Sequence, residues 1–142
     1  LHVVVAGSGG QLENCKRIAQ ECRVEERVIF AGNLDRSKIA SYYANCLAVY
    51  FGPFAEPYGY VTLEAMLSSK PVITCTDSGC PREFVKHGVN GMVTDAEARA
   101  VADTINRLCS DPSKAKSMGR EGRAMYRALD LDWANVAEKL GR

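Results

Sequence analysis

The 142-residue sequence has only two histidines, His2 and His87, and none of its six cysteines forms a Cys-x-x-Cys pair. The imidazoles and paired thiolates of tetrahedral zinc sites are therefore missing, and no metal is expected. Charge of one sign is missing too: 18 Lys and Arg stand against 17 Asp and Glu, a formal net charge of +1. That balance argues against nucleic acid or an anionic membrane as the main partner. The apolar runs at 3–6 and 47–51 fall far short of the roughly 18 residues that cross a bilayer, so no transmembrane segment is expected. No basic stretch precedes an apolar core in the manner of a secretory signal, and the first residue is Leu1 rather than Met. The expectation is a piece of a longer chain.

What is present suits a globular domain, with 46% apolar and 25% charged residues. The whole stretch, 1–142, is expected to form one domain with no second domain, repeat or linker inside it. The cysteines (Cys15, Cys22, Cys46, Cys75, Cys80, Cys109) are scattered among helix and strand patterns. Cys15 and Cys22, seven residues apart on a helix, lie about 10 Å apart along its axis, too far for a disulfide. Buried free thiols in a reducing, cytosolic setting are expected, ahead of disulfides or a metal site.

Short β-branched runs at 2–6, 27–31, 47–51, 71–75 and 91–94 read as strands buried on both faces. Between them Leu12, Cys15, Ile18, Ala19 and Cys22 recur at helical spacing, Asp35 caps a helix carrying Ile39, Ala40 and Tyr43, and 61–69 forms a third helix. The alternation predicts a Rossmann-like α/β fold, a parallel sheet with helices on both faces. After Thr94 only helices follow: one capped by Asp95, one opened by Asp111 and Pro112, and a last turn or two with Trp133, Val136 and Leu140 as packing residues.

Ligands of such folds bind at the carboxyl ends of the strands. Three glycine-rich loops fall there: Gly7-Ser8-Gly9-Gly10, Gly32-Asn33, and 52–59. The first fails as a dinucleotide fingerprint, because Leu12 stands where GxGxxG needs glycine and no acid ends the next strand. A tight strand-to-helix turn or a close approach to a nucleotide both fit it. In Glu56-Pro-Tyr-Gly-Tyr-Val-Thr-Leu-Glu64 a mostly apolar helix begins near Gly59, with Glu64 the single charge between Glu56 and Lys70. A carboxylate buried there needs either a basic neighbour or a ligand's vicinal hydroxyls. The amides of Tyr60, Val61 and Thr62 at the helix entrance favour an anion such as a diphosphate. Together these features suit a nucleotide-sugar.

Glu56 to Glu64 resembles the E-x7-E motif of retaining glycosyltransferases of the GT4 type, which have the two-domain GT-B fold. The resemblance extends over nearly the whole chain: Val28-Ile-Phe-Ala-Gly32, Glu64-Ala-Met with Lys70-Pro-Val-Ile, and Ser78-Gly-Cys-Pro-Arg-Glu83 with Gly88-Val-Asn-Gly91 follow in the family's order. It implies that Glu56, the residue assigned to catalysis, meets the donor sugar's hydroxyls, and that Glu64 meets the ribose. Tyr58, Gly59, Tyr60, Val61 and Thr62 would surround the diphosphate and sugar, and Gly32 and Asn33 the base side.

The resemblance also implies a UDP-, GDP- or ADP-sugar as donor substrate, no separate cofactor, and same-face transfer assisted by the leaving phosphate. The acceptor, a sugar or a lipid-linked sugar, would be held by an N-terminal domain not in this sequence. Also implied upstream is a strand between the 2–6 and 47–51 strands, with the cations that neutralise the diphosphate. The isolated chain is accordingly expected to be inactive. A cytoplasmic place follows, at most peripheral to the inner face of a membrane.

Cys80 stands where the family has a second glycine. Arg82 reads as a surface charge or a phosphate contact, and Glu83 as a helix cap or a ligand contact. His87 reads as a solvated loop residue. Tyr58 and Tyr60 read as packing, with stacking on the donor the lesser alternative. A noncatalytic nucleotide-binding module and a nicotinamide-dependent oxidoreductase remain as alternatives.

Overall fold

The computed structural model describes residues 1–130; the expected turn around Trp133, Val136 and Leu140 lies outside them. Strands and helices alternate as β1 (Val3–Ala6), α1 (Leu12–Glu21), β2 (Val28–Gly32), α2 (Arg36–Asn45), β3 (Val49–Tyr50), α3 (Tyr60–Leu67), β4 (Val72–Cys75), α4 (Pro81–Phe84), β5 (Gly91–Thr94), α5 (Ala98–Ser110) and α6 (Pro112–Ala128). Every strand pair is parallel, because each strand is followed by a helix that carries the chain back. The hydrogen bonds collect the strands into two sheets, β1-β2 and β3-β4-β5. Contacts likewise divide the chain into two compact units, Leu1–Tyr42 and the part from Tyr43 onward.

In the first unit Val3 pairs with Val28, Val4 with Ile29 and Val5 with Phe30, after which the register slips and Ala6 faces Gly32. The Gly7 amide then donates to the Gly32 carbonyl at 2.8 Å. Both glycines have positive φ (119° and 64°), which side chains disfavour. Two expectations are corrected here. Val3, Val4 and Val5 are 42%, 39% and 37% exposed rather than buried, and Cys15 and Cys22 are exposed as well. A two-stranded sheet, α1 and the first part of α2 offer too little apolar area to cover the strands, since α1 buries only Ala19 and α2 buries no residue. All six cysteines are free thiols, but only Cys75 is buried.

In the second unit β4 lies between β3 and β5 and is buried along its whole length. Successive strand residues point to opposite faces, so Ile73 joins Met92, Leu108, Ala115 and Met118 while Val72 joins Ala65 and Val85. Helix α6 starts as expected: Asp111 Oδ1 accepts from the Lys114 amide (2.9 Å) and the Ser113 hydroxyl (2.6 Å), with Pro112 in the first turn. Its Gly119 packs so closely on α3 that a Cβ would overlap the Ser69 carbonyl. Helix α5 opens at Ala98 after an extended Glu97, not at an Asp95 cap. Residues 95–96 are consumed in turning out of β5.

Candidate functional site

Two loops leave the carboxyl ends of the adjacent strands β3 and β4, and backbone hydrogen bonds lace them together. The Ala55 amide donates to the Asp77 carbonyl (2.9 Å), Glu56 to Ser78 (3.1 Å), and Cys80 back to Glu56 (2.9 Å). Gly79 has φ 74°, and a Cβ on it would lie 2.8 Å from the Glu56 carbonyl oxygen and 2.9 Å from its nitrogen. The glycine is required by two backbones in contact. Buried Ser78 secures the second loop, its Oγ accepting from the Cys75 amide at 3.0 Å. Sequence reasoning assigns neither Ser78 nor Gly79 this role; their place directly after a buried strand is the signal.

Thus fixed, half-buried Glu56 turns its carboxylate toward α3. Oε1 accepts from the Tyr58 amide (3.1 Å) and the Gly59 amide (3.3 Å). Gly59 is the left-handed residue (φ 67°) from which α3 starts, and a Cβ there would press on the Pro81 ring at 3.2 Å. Beyond it the amides of Tyr60 and Val61 have no acceptor among the described residues. The Thr62 amide, expected to be free, donates to the Gly59 carbonyl at 2.9 Å, and the Thr62 side chain is fully buried. A tight first turn accounts for that correction. Tyr58 and Tyr60 are exposed and stack on each other, centroids 5.6 Å apart, where packing around the motif was expected. They flank the Gly59 turn, which brings their rings together.

Glu64 departs from expectation as well. Helix α3 gives Thr62, Ala65 and Met66 to the core and leaves Glu64 exposed. Its Oε2 accepts from the Tyr43 hydroxyl at 3.0 Å, and among the described residues it has no basic partner. Burial first, then the carboxylate, pushes the Tyr43 phenol well above its ordinary pKa, so it stays a donor. Sequence reasoning misses Tyr43 as a site residue because a tyrosine at helical spacing reads as packing. Lys70 holds the same end of α2, its Nζ donating to the carbonyls of Ala44 (2.9 Å) and Cys46 (2.8 Å).

The remaining candidates are placed as follows. Arg82 donates from Nη1 to the Thr76 carbonyl at 2.9 Å, and Glu83 is exposed without a capping bond. Cys80 has ordinary helical dihedrals (φ −52°), which need no glycine. Its thiol is pushed up by burial and by the carboxylates of Glu83 and Glu56. His87 is an exposed loop residue, as expected, and is also tied to β5: Nδ1 lies 2.9 Å from the Val93 carbonyl and 3.1 Å from its amide. Gly32 ends β2 and Asn33 follows it, both in the first unit and apart in sequence from the Glu56–Glu64 cluster. A cavity of about 460 Å³ adjoins the two loops, walled by Tyr50, Phe54, Cys75, Asp77 and Glu97. Among the described residues no three His, Cys, Asp or Glu gather as metal ligands.

Helix amides that have no acceptor among the described residues, between two carboxylates at the ends of parallel strands, suit a ligand with both phosphates and hydroxyls. The profile of Glycosyl transferases group 1 matches residues 1–125. The chain belongs to this family. Membership removes the oxidoreductase alternative and agrees with the GT4 resemblance read from the motifs.

A GDP-mannose-dependent alpha-(1-6)-phosphatidylinositol monomannoside mannosyltransferase of Mycobacterium tuberculosis is 32% identical over 146 residues, covering 97% of this chain and 37% of that protein. The human alpha-1,3/1,6-mannosyltransferase ALG2 is 30% identical over 132 residues, 87% of this chain and 32% of that protein. Among solved structures, sucrose-phosphate synthase of Thermosynechococcus elongatus superposes with a TM-score of 0.85 at 29% identity, covering 97% of this chain and 36% of that one. Anabaena HepE in complex with UDP-glucose gives 0.84 at 28% identity, with 99% and 40% covered. The fold is that of the C-terminal half of GT-B glycosyltransferases. The chain spans little more than a third of the first mannosyltransferase. Among the described residues no helix is long and apolar enough to cross a membrane.

Proposed function

We propose that this group 1 glycosyltransferase chain binds the nucleotide-sugar donor of a retaining transferase. The observation that carries the reading is the pair of unsatisfied amides, Tyr60 and Val61, at the start of α3 between the carboxylates of Glu56 and Glu64. The diphosphate lies against those amides, where the positive end of the helix dipole favours it. Glu64 Oε1 accepts from a ribose hydroxyl while Tyr43 holds Oε2. Glu56, with Oε1 held by the Tyr58 and Gly59 amides, offers Oε2 to the sugar being transferred. As the glycosidic bond breaks, charge grows on the leaving diphosphate, and amides already aimed at it need no reorganisation. The acceptor, a sugar or lipid-linked sugar, is held outside this stretch; the chain alone does not turn over, in keeping with the share of its relatives that it spans. Transfer takes place at the cytoplasmic face, next to a membrane where the acceptor is lipid-linked.

GDP-mannose in one relative's name and UDP-glucose in another's complex define the test. The melting temperature is measured with UDP-, GDP- and ADP-sugars. A ligand at about 100 times its dissociation constant adds roughly 2.7 kcal/mol of stability, and Glu64→Ala should cut the shift to less than about half. No shift with any sugar nucleotide overturns the reading.

A further inference from the structure

The near-zero net charge of the chain hides a local excess. Helix α6 carries Lys114, Lys116, Arg120, Arg123 and Arg127 against one acid, Glu121. Arg120, Arg123 and Arg127 follow at intervals of three and four residues, which brings them to one face of the helix. With Ser69 and Ala124 they line a cavity of about 330 Å³. All three arginines are exposed, and among the described residues none has an ion pair or a hydrogen bond. Like charges at these spacings repel one another, so the stripe favours an anion that relieves the repulsion.

The fourth polar group is in an unusual conformation. Ser69 has φ 58°, a region that suits glycine. It closes the end of α3, with its own amide bonded to the Met66 carbonyl (2.9 Å) and the Lys70 amide to Ala65 (2.9 Å). Gly119 of α6 presses on its carbonyl. Glycine would make this turn without strain, whereas serine adds a hydroxyl to the cavity wall. The cavity is at the carboxyl end of α3 and the Tyr60 and Val61 amides at its start, about 12 Å of helix away. The carbonyl end of α3 attracts cations, but one helix end carries only about half a charge.

We propose that Ser69, Arg120, Arg123 and Arg127 form an anion site, separate from the donor site, that takes a phosphomonoester or diphosphate group. Guanidinium forks match the oxygens of phosphate in planar pairs, and the serine hydroxyl supplies one more donor. The phosphate belongs either to a lipid headgroup or to a soluble compound. Because no residue is shared with the donor site, this inference stands or falls apart from the proposed function.

The test follows the arginine Nε–H signals by NMR while inorganic phosphate is added to the chain. In parallel, co-sedimentation is measured with phosphatidylcholine vesicles with and without phosphatidic acid, whose headgroup is a phosphomonoester. The expected result is a saturable movement of the Arg120, Arg123 and Arg127 signals, weakened about tenfold in Arg123→Gln and lost in the triple Gln variant. The triple Lys variant should retain part of the binding. Retention on phosphatidic acid vesicles that the triple Gln variant loses assigns the site to a headgroup. Saturable phosphate binding without vesicle retention assigns it to a soluble phosphate. These side chains are exposed, so the variants should melt with the parent, and the single substitution guards against a triple variant that does not. Signals that move no more than in sodium chloride of equal ionic strength, with vesicle retention absent or unchanged by the substitutions, overturn the site.

Discussion

The hydroxyl of Tyr43 lies 3.0 Å from Oε2 of Glu64, so one oxygen of this carboxylate is engaged before any ligand arrives and the other is left in a fixed direction. Glu64→Ala should weaken nucleoside-diphosphate binding by about 1.5–3 kcal/mol, the worth of hydrogen bonds to a charged acceptor. Tyr43→Phe should cost about 1 kcal/mol, since it only loosens the carboxylate. Glu56→Ala should leave nucleotide affinity nearly intact and erase the preference for the sugar nucleotide. Calorimetry on the three variants separates these outcomes. The raised pKa of Tyr43 means that its proton is fully present below the ordinary value of 10 and is lost only above it. Wild-type binding should therefore stay flat through the mildly alkaline range.

Gly79→Ala should disturb the site without touching a ligand. A Cβ there meets the backbone of Glu56, and φ 74° adds strain of about 1–3 kcal/mol. The expected result is a lower melting temperature together with weaker sugar-nucleotide binding. Cys80→Gly, next door, should bring no gain in affinity, because Cys80 already has a conformation open to any residue.

Gly119→Ala tests the helix contact behind the site. The new methyl would overlap the Ser69 carbonyl, so α6 must shift from α3, at a cost of about 1–3 kcal/mol. Gly122→Ala, whose Cβ would lie 3.4 Å from the Met66 side chain, should be milder. Urea denaturation of the two variants gives the comparison.

Thiol reactivity should follow the environments of the cysteines. Exposed Cys15 and Cys22 should alkylate first, and buried Cys75, 3.5 Å from the Tyr50 hydroxyl, last. Cys46 and Cys80 should lag at neutral pH, since burial holds both thiols above the ordinary value of 9.0. Mass spectrometry of timed alkylation reports the order.

Much of this was legible from residue pattern. The parallel α/β alternation follows from short β-branched runs between helical repeats, and Asp35 and Asp111 cap α2 and α6 because a short acceptor before a helix meets free amides. Burial was less legible. Val3 to Val5 look like core by composition, but exposure depends on what covers a strand, and no local pattern encodes that. The same holds for Glu64, whose apolar neighbours suggested an interior carboxylate although α3 turns it outward. Tyr43 and Gly79 act across 21 and 23 residues of chain, respectively, and such pairings exist only once the strands have brought the loops together.

Lys70 and Arg82, the first two cations after the motif, both donate to backbone carbonyls, Lys70 to Ala44 and Cys46 and Arg82 through Nη1 to Thr76. The clamp around α3 is thus made of oriented dipoles rather than mobile counterions. Dissolved electrolyte weakens attraction between separated charges far more than a hydrogen bond made at contact. The chain's grip on a diphosphate should therefore change little between dilute buffer and physiological salt. A steep loss of affinity over that interval would mean that a cation from elsewhere shares the load.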